Sequence, residues 1–243
     1  MRLYGKQPVI ERLRANPVSI RKIYLQEGFE DSAYIHKKAK KHGMAVISIP
    51  KTKMLKLARN TNTQGVLAEV DDFRYTPYED ILPLGKEKGL CPVFLDELTD
   101  PQNLGAIIRS LACLGNFALI IPSHHSVDMT DSVLRVACGG ENYIAVAKVS
   151  NLHKAIKKAK EEGFFIAGAV VENGENLEGA KLNFPLALVI GSEEKGISKN
   201  ILEELDAALM IPMKIHTMSF NVAHATAIFC YEIVKQKKIH TQK

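Results

Sequence analysis

Hydrophobic positions along the chain change their spacing about a third of the way in. In the first part, Ile20 to Leu25 alternates apolar and polar residues, as a half-buried strand does. Asp31 is placed to N-cap a helix that ends at Gly43. Met44 to Ile49 reads as a second strand, Lys51 to Arg59 as a short helix, and Gly65 to Val70 as a closing strand after the polar stretch NTNTQ. DDFRYTPYEDILPLGKEKG follows, with two prolines, two glycines and no sustained period, and it reads as a linker.

From Cys91 onward, short apolar runs alternate with amphipathic stretches. Strands are expected at Pro92–Asp96, Phe117–Ile121, Ala145–Val149, Phe165–Val171 and Leu186–Ile190. The last two are continuous apolar runs, as in strands covered on both faces. Helices are expected at Asn103–Leu114, Met129–Ala137, Leu152–Glu162 and Asn221–Lys235, with Gly115 stopping the first. The alternation predicts an α/β fold with a mostly parallel sheet, preceded by a small mixed α/β module. The expected domains are 1–72, a linker at 73–91, and 92–243.

Charge sharpens the division. Residues 1–70 carry 14 Lys and Arg against 5 Asp and Glu, a net +9, whereas residues 71–243 carry 18 against 22, a net −4. A basic front module points to a polyanion, and equally to a solvated Lys-rich helix face at Lys37, Lys38, Lys40 and Lys41. No apolar run approaches the ~20 residues that span a bilayer. The start MRLYGKQPVIERL lacks the apolar core of a signal peptide. Cys91, Cys113, Cys138 and Cys230 are scattered without metal spacing. Buried thiols in a cytoplasmic, reducing setting are expected, with no membrane partner.

Three loops at the carboxyl ends of the expected strands are candidates for chemistry. In DELTDPQNLGAIIRS, Asn103 is a candidate helix cap, and Arg109 interrupts a face of Ile, Leu and Ala. By pattern alone, Arg109 also reads as a surface residue with its stem along a core helix. LVIGSEEKGIS is a buried strand running into Gly191, Glu193 and Gly196. It lacks the Lys-Ser/Thr pair of a Walker loop, which argues against a nucleotide-phosphate site. In IPMKIHTMSFNVAHATAIFCYE, Ser219 and Asn221 open the last helix, and either suits an N-cap. His216 and His224 have no Cys or carboxylate at ligand spacing, so no metal is expected.

Together, Asn103 with Arg109, Gly191–Ser192–Glu193 to Gly196, and Ile211–Pro212–Met213 with Ser219–Phe220–Asn221–Val222 resemble the three motifs of the SpoU family. These are S-adenosylmethionine-dependent RNA 2′-O-ribose methyltransferases of the SPOUT superfamily. The resemblance covers roughly residues 92–235. Residues 1–72 resemble the ribosomal-protein-like substrate-binding domain that often precedes this module, best at LYGKQPVIERL and Gln64–Gly65–Val66. The chain is similar to the branch that methylates a guanosine of 23S-type ribosomal RNA, and less closely to transfer-RNA ribose methyltransferases.

The resemblance implies a deep trefoil knot at the carboxyl end, a homodimer with its catalytic centre near the subunit interface, and structured RNA as substrate. It places Gly191, Ile211, Met213, Phe220 and Asn221 at the donor pocket. It places Arg109, Glu193, Ser219 and Asn221 among the catalytic groups, with Asn103 supporting Arg109. Two positions depart from the family pattern: Ala223 stands where Ser is usual, and Asn142 where Glu is usual. A non-catalytic RNA-binding assembly factor is the alternative from another class, and retention of all these polar residues argues against it.

Overall fold

The computed structural model describes residues 1–30, 32–59, 62–215 and 217–241, with side chains through 237. In chain order the elements are β1 (Arg2–Tyr4), α1 (Lys6–Ala15), β2 (Ile20–Gln26), α2 (Ser32–Lys41), β3 (Val46–Ile49), α3 (Lys51–Leu57) and β4 (Val66–Val70). Then come α4 (Tyr78–Lys88), β5 (Cys91–Leu95), α5 (Pro101–Leu114), β6 (Phe117–Pro122), α6 (Asp131–Ala137), β7 (Ala145–Val149), α7 (Leu152–Glu161) and β8 (Phe165–Ala169). The chain finishes with β9 (Glu175–Asn176), β10 (Leu186–Ile190), α8 (Lys199–Leu202), β11 (Ala207–Met210) and α9 (Val222–Thr241). The expected cap at Asp31 and the position of His216 lie outside the described residues.

The chain divides into two compact units, Met1–Arg74 with Met129–Tyr143, and Tyr75–Asp128 with Ile144–Lys243. Residues 129–143, expected within the 92–243 domain, are thus built into the front unit. The backbone N–H of Arg2 donates to Asp131 Oδ1 at 2.9 Å, and Arg12 Nη2 donates to Glu141 Oε1 at 2.9 Å. These links join groups more than a hundred positions apart, so a local pattern cannot reveal them.

The front unit's sheet has the order β1-β4-β2-β3. β4 is antiparallel to β1 and β2, and β3 is parallel to β2. β4 is entered through a tight turn in which Val66 N–H donates to Thr63 O at 2.9 Å. Both central residues of that turn have positive φ, 49° at Gln64 and 79° at Gly65. Gly65 suits this backbone; a Gln there costs about 1–2 kcal/mol.

In the second unit all strand pairs are parallel, in the order β7-β6-β5-β10-β8-β11-β9. One sheet face presents Phe94, Ala118, Ile120, Ala147, Ile166, Ala187 and Val189, the alternate positions of five strands, to a core shared with α4 and α7. Each large side chain fully buried there contributes about 1.5–3 kcal/mol. On the helices, α5 and α9 pack against each other.

The expected linker at 73–91 contains α4 instead. Pro83 sits inside this helix, which removes one backbone hydrogen bond. Burial outweighs that loss: Tyr78, Ile81 and Leu82 enter the core, and the Tyr78 hydroxyl donates to Ala155 O at 2.6 Å. Desolvation pushes the Tyr78 phenol far above its ordinary pKa. The thiols differ from expectation too. Cys91 and Cys230 are buried, and burial pushes Cys91 up to about 12, but Cys113 is exposed on α5 and Cys138 is half-buried.

Candidate active site

β5, β8 and β10 end together at the carboxyl edge of the parallel sheet, and the loops that follow β10 and β11 meet there. They enclose a cavity of about 690 Å³ whose walls include Ala169 and Ile190, the last residues of β8 and β10. Gly191, Ile211, Met213, Ser219, Phe220 and Asn221 all line it, as does Glu193. Phe220 is 46% exposed, so its ring is available as an apolar wall.

The loop after β10 is a closed turn. Ser192 N–H donates to Gly196 O at 3.1 Å, Gly196 N–H returns to Ser192 O at 3.0 Å, and Lys195 N–H donates to Ser192 Oγ at 3.2 Å. Only glycine suits position 191, because a Cβ there would lie 2.1 Å from the Gly196 carbonyl carbon. The space that a side chain would take is filled by the loop's own backbone rather than by a ligand. Asp96, buried just beyond β5, accepts the Ser198 N–H at 2.8 Å and pins the far end of this loop. Its signal in the sequence is an acid directly after an apolar strand.

A chain of hydrogen bonds joins the three motif loops. Asn221 Oδ1 accepts the Ala223 N–H at 2.9 Å, which caps α9 and fixes the orientation of the amide. Asn221 Nδ2 therefore points outward and donates to Asn103 Oδ1 at 2.9 Å. Asn103 Nδ2 in turn donates to Glu193 Oε1. Each amide has one orientation that satisfies its neighbour, so the helix cap dictates which atom faces the carboxylate. Asn103 is free for this role because Asp100 caps α5, accepting Gln102 N–H at 2.8 Å; the expected cap at Asn103 is corrected by this.

The remaining expected residues behave differently. Arg109 is exposed on α5, does not line the cavity, and makes no hydrogen bond or ion pair with the described residues. The structure does not bring it to Asn103. Ser219 lines the cavity but is exposed and bonds to none of the relay. Ala223 is buried, and among the described residues the buried side-chain polar atoms without a partner, Arg12 Nε and Glu141 Oε2, both belong to the front unit. Asn142 belongs to the front unit, where it donates to Gly139 O at 2.8 Å and to Glu141 Oε1 at 3.1 Å.

Sequence reasoning missed the carboxyl end of β8 and the residues after it, where Val170, Val171 and Glu172 line the cavity. Their signal was the position of an apolar strand's end beside a motif loop. It also missed Glu194, which with Glu172 and Glu193 gives the cavity three carboxylates against Lys195. Such a lining complements a cationic ligand, and the volume lies in the range of small-molecule pockets, about 300–1,000 Å³. Among the described residues no group of three or more His, Cys, Asp or Glu could hold a metal ion, and no helix is long and apolar enough to cross a membrane.

Comparison with known proteins fits this geometry. The SpoU rRNA Methylase family matches residues 91–231, and the family described as RNA 2′-O ribose methyltransferase substrate binding matches residues 2–76. A protein of Staphylococcus haemolyticus assigned to the TrmH family of tRNA/rRNA methyltransferases is 35% identical over 90% of this chain and 89% of its own length. YacO of Bacillus subtilis, assigned likewise, is 32% identical over 96% and 94%. Among solved structures, an AdoMet-bound rRNA methyltransferase from Sinorhizobium meliloti has a TM-score of 0.79 at 24% identity, covering 96% of this chain and 86% of its own. The SpoU methyltransferase AviRb from Streptomyces viridochromogenes, in complex with AdoMet, has a TM-score of 0.80 at 23% identity, covering 98% and 90%. With one family spanning most of the second unit and full-length relatives above 30% identity, the chain belongs to the SpoU rRNA methylase family of RNA methyltransferases.

Proposed function

We propose that the chain transfers a methyl group from S-adenosylmethionine to the ribose 2′-hydroxyl of a guanosine in 23S-type ribosomal RNA, acting as a homodimer. The observation that carries this reading is the Glu193–Asn103–Asn221 relay at the rim of a cavity walled by Gly191, Ile211, Met213 and Phe220. Transfer-RNA ribose is the second substrate considered, since the curated relatives are assigned to a tRNA/rRNA family.

The cavity fits the donor by charge and by surface. Its carboxylates at Glu172, Glu193 and Glu194 face a ligand that carries a sulfonium and an ammonium, and its apolar walls suit adenine. The donor supplies a methyl group already activated by the adjacent positive sulfur. Residues of the chain then have two tasks, alignment and charge stabilisation. Asn103 and Asn221 hold Glu193 in one orientation, and Ser219 offers a hydroxyl to the ribose. The Arg109 guanidinium stabilises the alkoxide that develops as the 2′-hydroxyl passes its proton to an RNA phosphate or water.

Because Arg109 is exposed and apart from its own subunit's cavity, the reading assigns it to the cavity of a second subunit. The outer face of α9 supports a dimer. Phe229 and Ile233 are buried within the subunit, 2% and 3% exposed, whereas Ile228 and Tyr231 are 38% and 63% exposed. They fall one helical turn apart with His224 and Lys235 on the same stripe. The return of α9 onto α5 is also what a threaded carboxyl end requires, so the knot belongs to the same proposal.

The test is methyl transfer from labelled S-adenosylmethionine into deproteinised ribosomal and transfer RNA, followed by digestion to nucleosides. Label in 2′-O-methylguanosine from the large ribosomal RNA is expected. Label on a base, or none in either RNA, contradicts the reading.

A further inference from the structure

The turn that opens β4 lies between two clefts of the front unit that the methyl-transfer reading does not use. One, of about 590 Å³, has Phe29, Lys51, Leu55, Asn62, Gln64 and Gly65 in its walls. The other, of about 310 Å³, shares Asn62 and Gln64 and includes Arg135. Gln64 holds a left-handed backbone that disfavours it, yet its side chain is exposed and has no hydrogen-bond partner among the described residues. Asparagine or glycine would satisfy such a turn with less strain. Strain kept at an exposed, unpaired side chain is a signature of a residue retained for what it binds.

The chemistry around Gln64 narrows the ligand. Asn62 Oδ1 accepts the Gln64 N–H at 3.0 Å, so its amide is oriented with Nδ2 left as a donor. The Gln64 amide offers a donor and an acceptor side by side. Phe29 is half-buried and held in place from below, since a Cβ at Gly65 would come within 2.8 Å of its ring. Leu55 is 38% exposed in the same cleft. Lys51 is exposed without a partner among the described residues, and Glu30 balances it, so the cleft is no phosphate trap. Apolar faces for stacking, paired donors and acceptors for an edge, and one cation at the rim together match a nucleobase on its strand.

We propose that the Asn62–Gly65 turn reads one unpaired nucleobase of the RNA substrate, with Gln64 on the base edge, Phe29 and Leu55 against its face, and Lys51 on a flanking phosphate. The base must be unpaired, because only then is its pairing edge open to side-chain amides. This rests on the reading that the chain acts on RNA. It adds where sequence is read before the reactive ribose is reached.

The test uses the full chain and a pool of RNA hairpins with one stem and a randomised loop, against the same stem as a continuous duplex. Bound RNA is sequenced, and affinities are measured across salt. Wild type is expected to enrich one base at a loop position and to prefer enriched hairpins over the duplex by about tenfold or more. Gln64→Gly suits the turn, so its Tm should hold or rise. It should lose the enrichment and about tenfold in affinity for the selected hairpin while keeping the salt slope. Lys51→Ala should keep the enrichment and lower the slope by roughly 0.7–0.9. Enrichment that survives in Gln64→Gly, or a slope that falls as in the lysine variant, overturns the proposal. Wild-type binding without base preference also overturns it and leaves the RNA reading standing. Wild type that binds neither hairpin nor duplex defeats both.

Discussion

Each unit is tied together by a polar cluster, and the two clusters are built in opposite ways. In the front unit, Arg12 and Glu141 form an ion pair at 2.9 Å with side chains 7% and 0% exposed. The pair is almost sealed from solvent, and Arg12 Nε and Glu141 Oε2 are buried without hydrogen-bond partners among the described residues. In the second unit, Glu193, Asn103 and Asn221 form a chain at a cavity rim, with the carboxylate exposed. A sealed pair fastens α1 to a distant segment of sequence. An open relay leaves atoms for a ligand. Burial, more than charge, separates architecture from chemistry here.

The sharpest way to break that contrast is to remove one partner of each cluster. Arg12→Ala should cost about 3–5 kcal/mol in chemical denaturation, because it strands a buried carboxylate. Replacing both partners, Arg12→Met with Glu141→Leu, should recover most of the loss. If the single variant is as stable as wild type, the pair is not architectural.

Arg109→Ala should act in the reverse sense. Turnover should fall roughly a hundred- to a thousandfold. S-adenosylmethionine affinity by calorimetry and thermal stability should stay near wild type, because Arg109 lies outside the cavity and bonds to no described residue. A large loss of donor affinity contradicts the assignment.

The proposed dimer can be tested on the exposed stripe of α9. Tyr231→Glu should give a folded monomer by light scattering, with turnover strongly reduced because Arg109 no longer reaches a second cavity. A folded monomer with full activity at assay concentration refutes the shared site. Phe229→Glu should instead misfold, since that side chain is in the subunit core.

The smallest expected effect is a pH dependence. Desolvation raises the Glu141 carboxyl above its ordinary value of 4.5, with Arg12 only partly offsetting it. Between 4.5 and the raised value the native state holds a proton that the unfolded chain has lost. Stability is therefore fully present below 4.5 and declines as pH rises through the folded value. Glu141→Gln should flatten that part of the denaturation profile relative to wild type, and an unchanged profile contradicts the shift.

What the sequence showed and what it hid follow the same division. Strands β8 and β10 are legible as continuous apolar runs, and β5, β6 and β7 as short apolar runs that alternate with amphipathic stretches. The motif loops were legible because their residue types and order match a known family. α4 was hidden by Pro83 and its two glycines, which local reading takes as breakers, while the burial of Tyr78 that overrides them is tertiary. The placement of residues 129–143 with the front unit depends on Arg12 meeting Glu141 and on Arg2 meeting Asp131. Of the candidate site, Asn103, Glu193 and Asn221 stand out in the sequence by their order, and the structure joins their side chains by hydrogen bonds. Their bonding order was not readable, since it depends on Asp100 taking the cap of α5 and on Asn221 taking that of α9.

The relay's role is tested most directly by the single-turnover rate of methyl transfer in Asn103→Ala at saturating S-adenosylmethionine. Removing Asn103 frees Glu193 and Asn221 together without opening a buried charge. The account predicts a rate about a hundredfold or more below wild type, with donor affinity and Tm little changed. A rate equal to wild type would contradict the claim that the open polar chain positions the groups for methyl transfer.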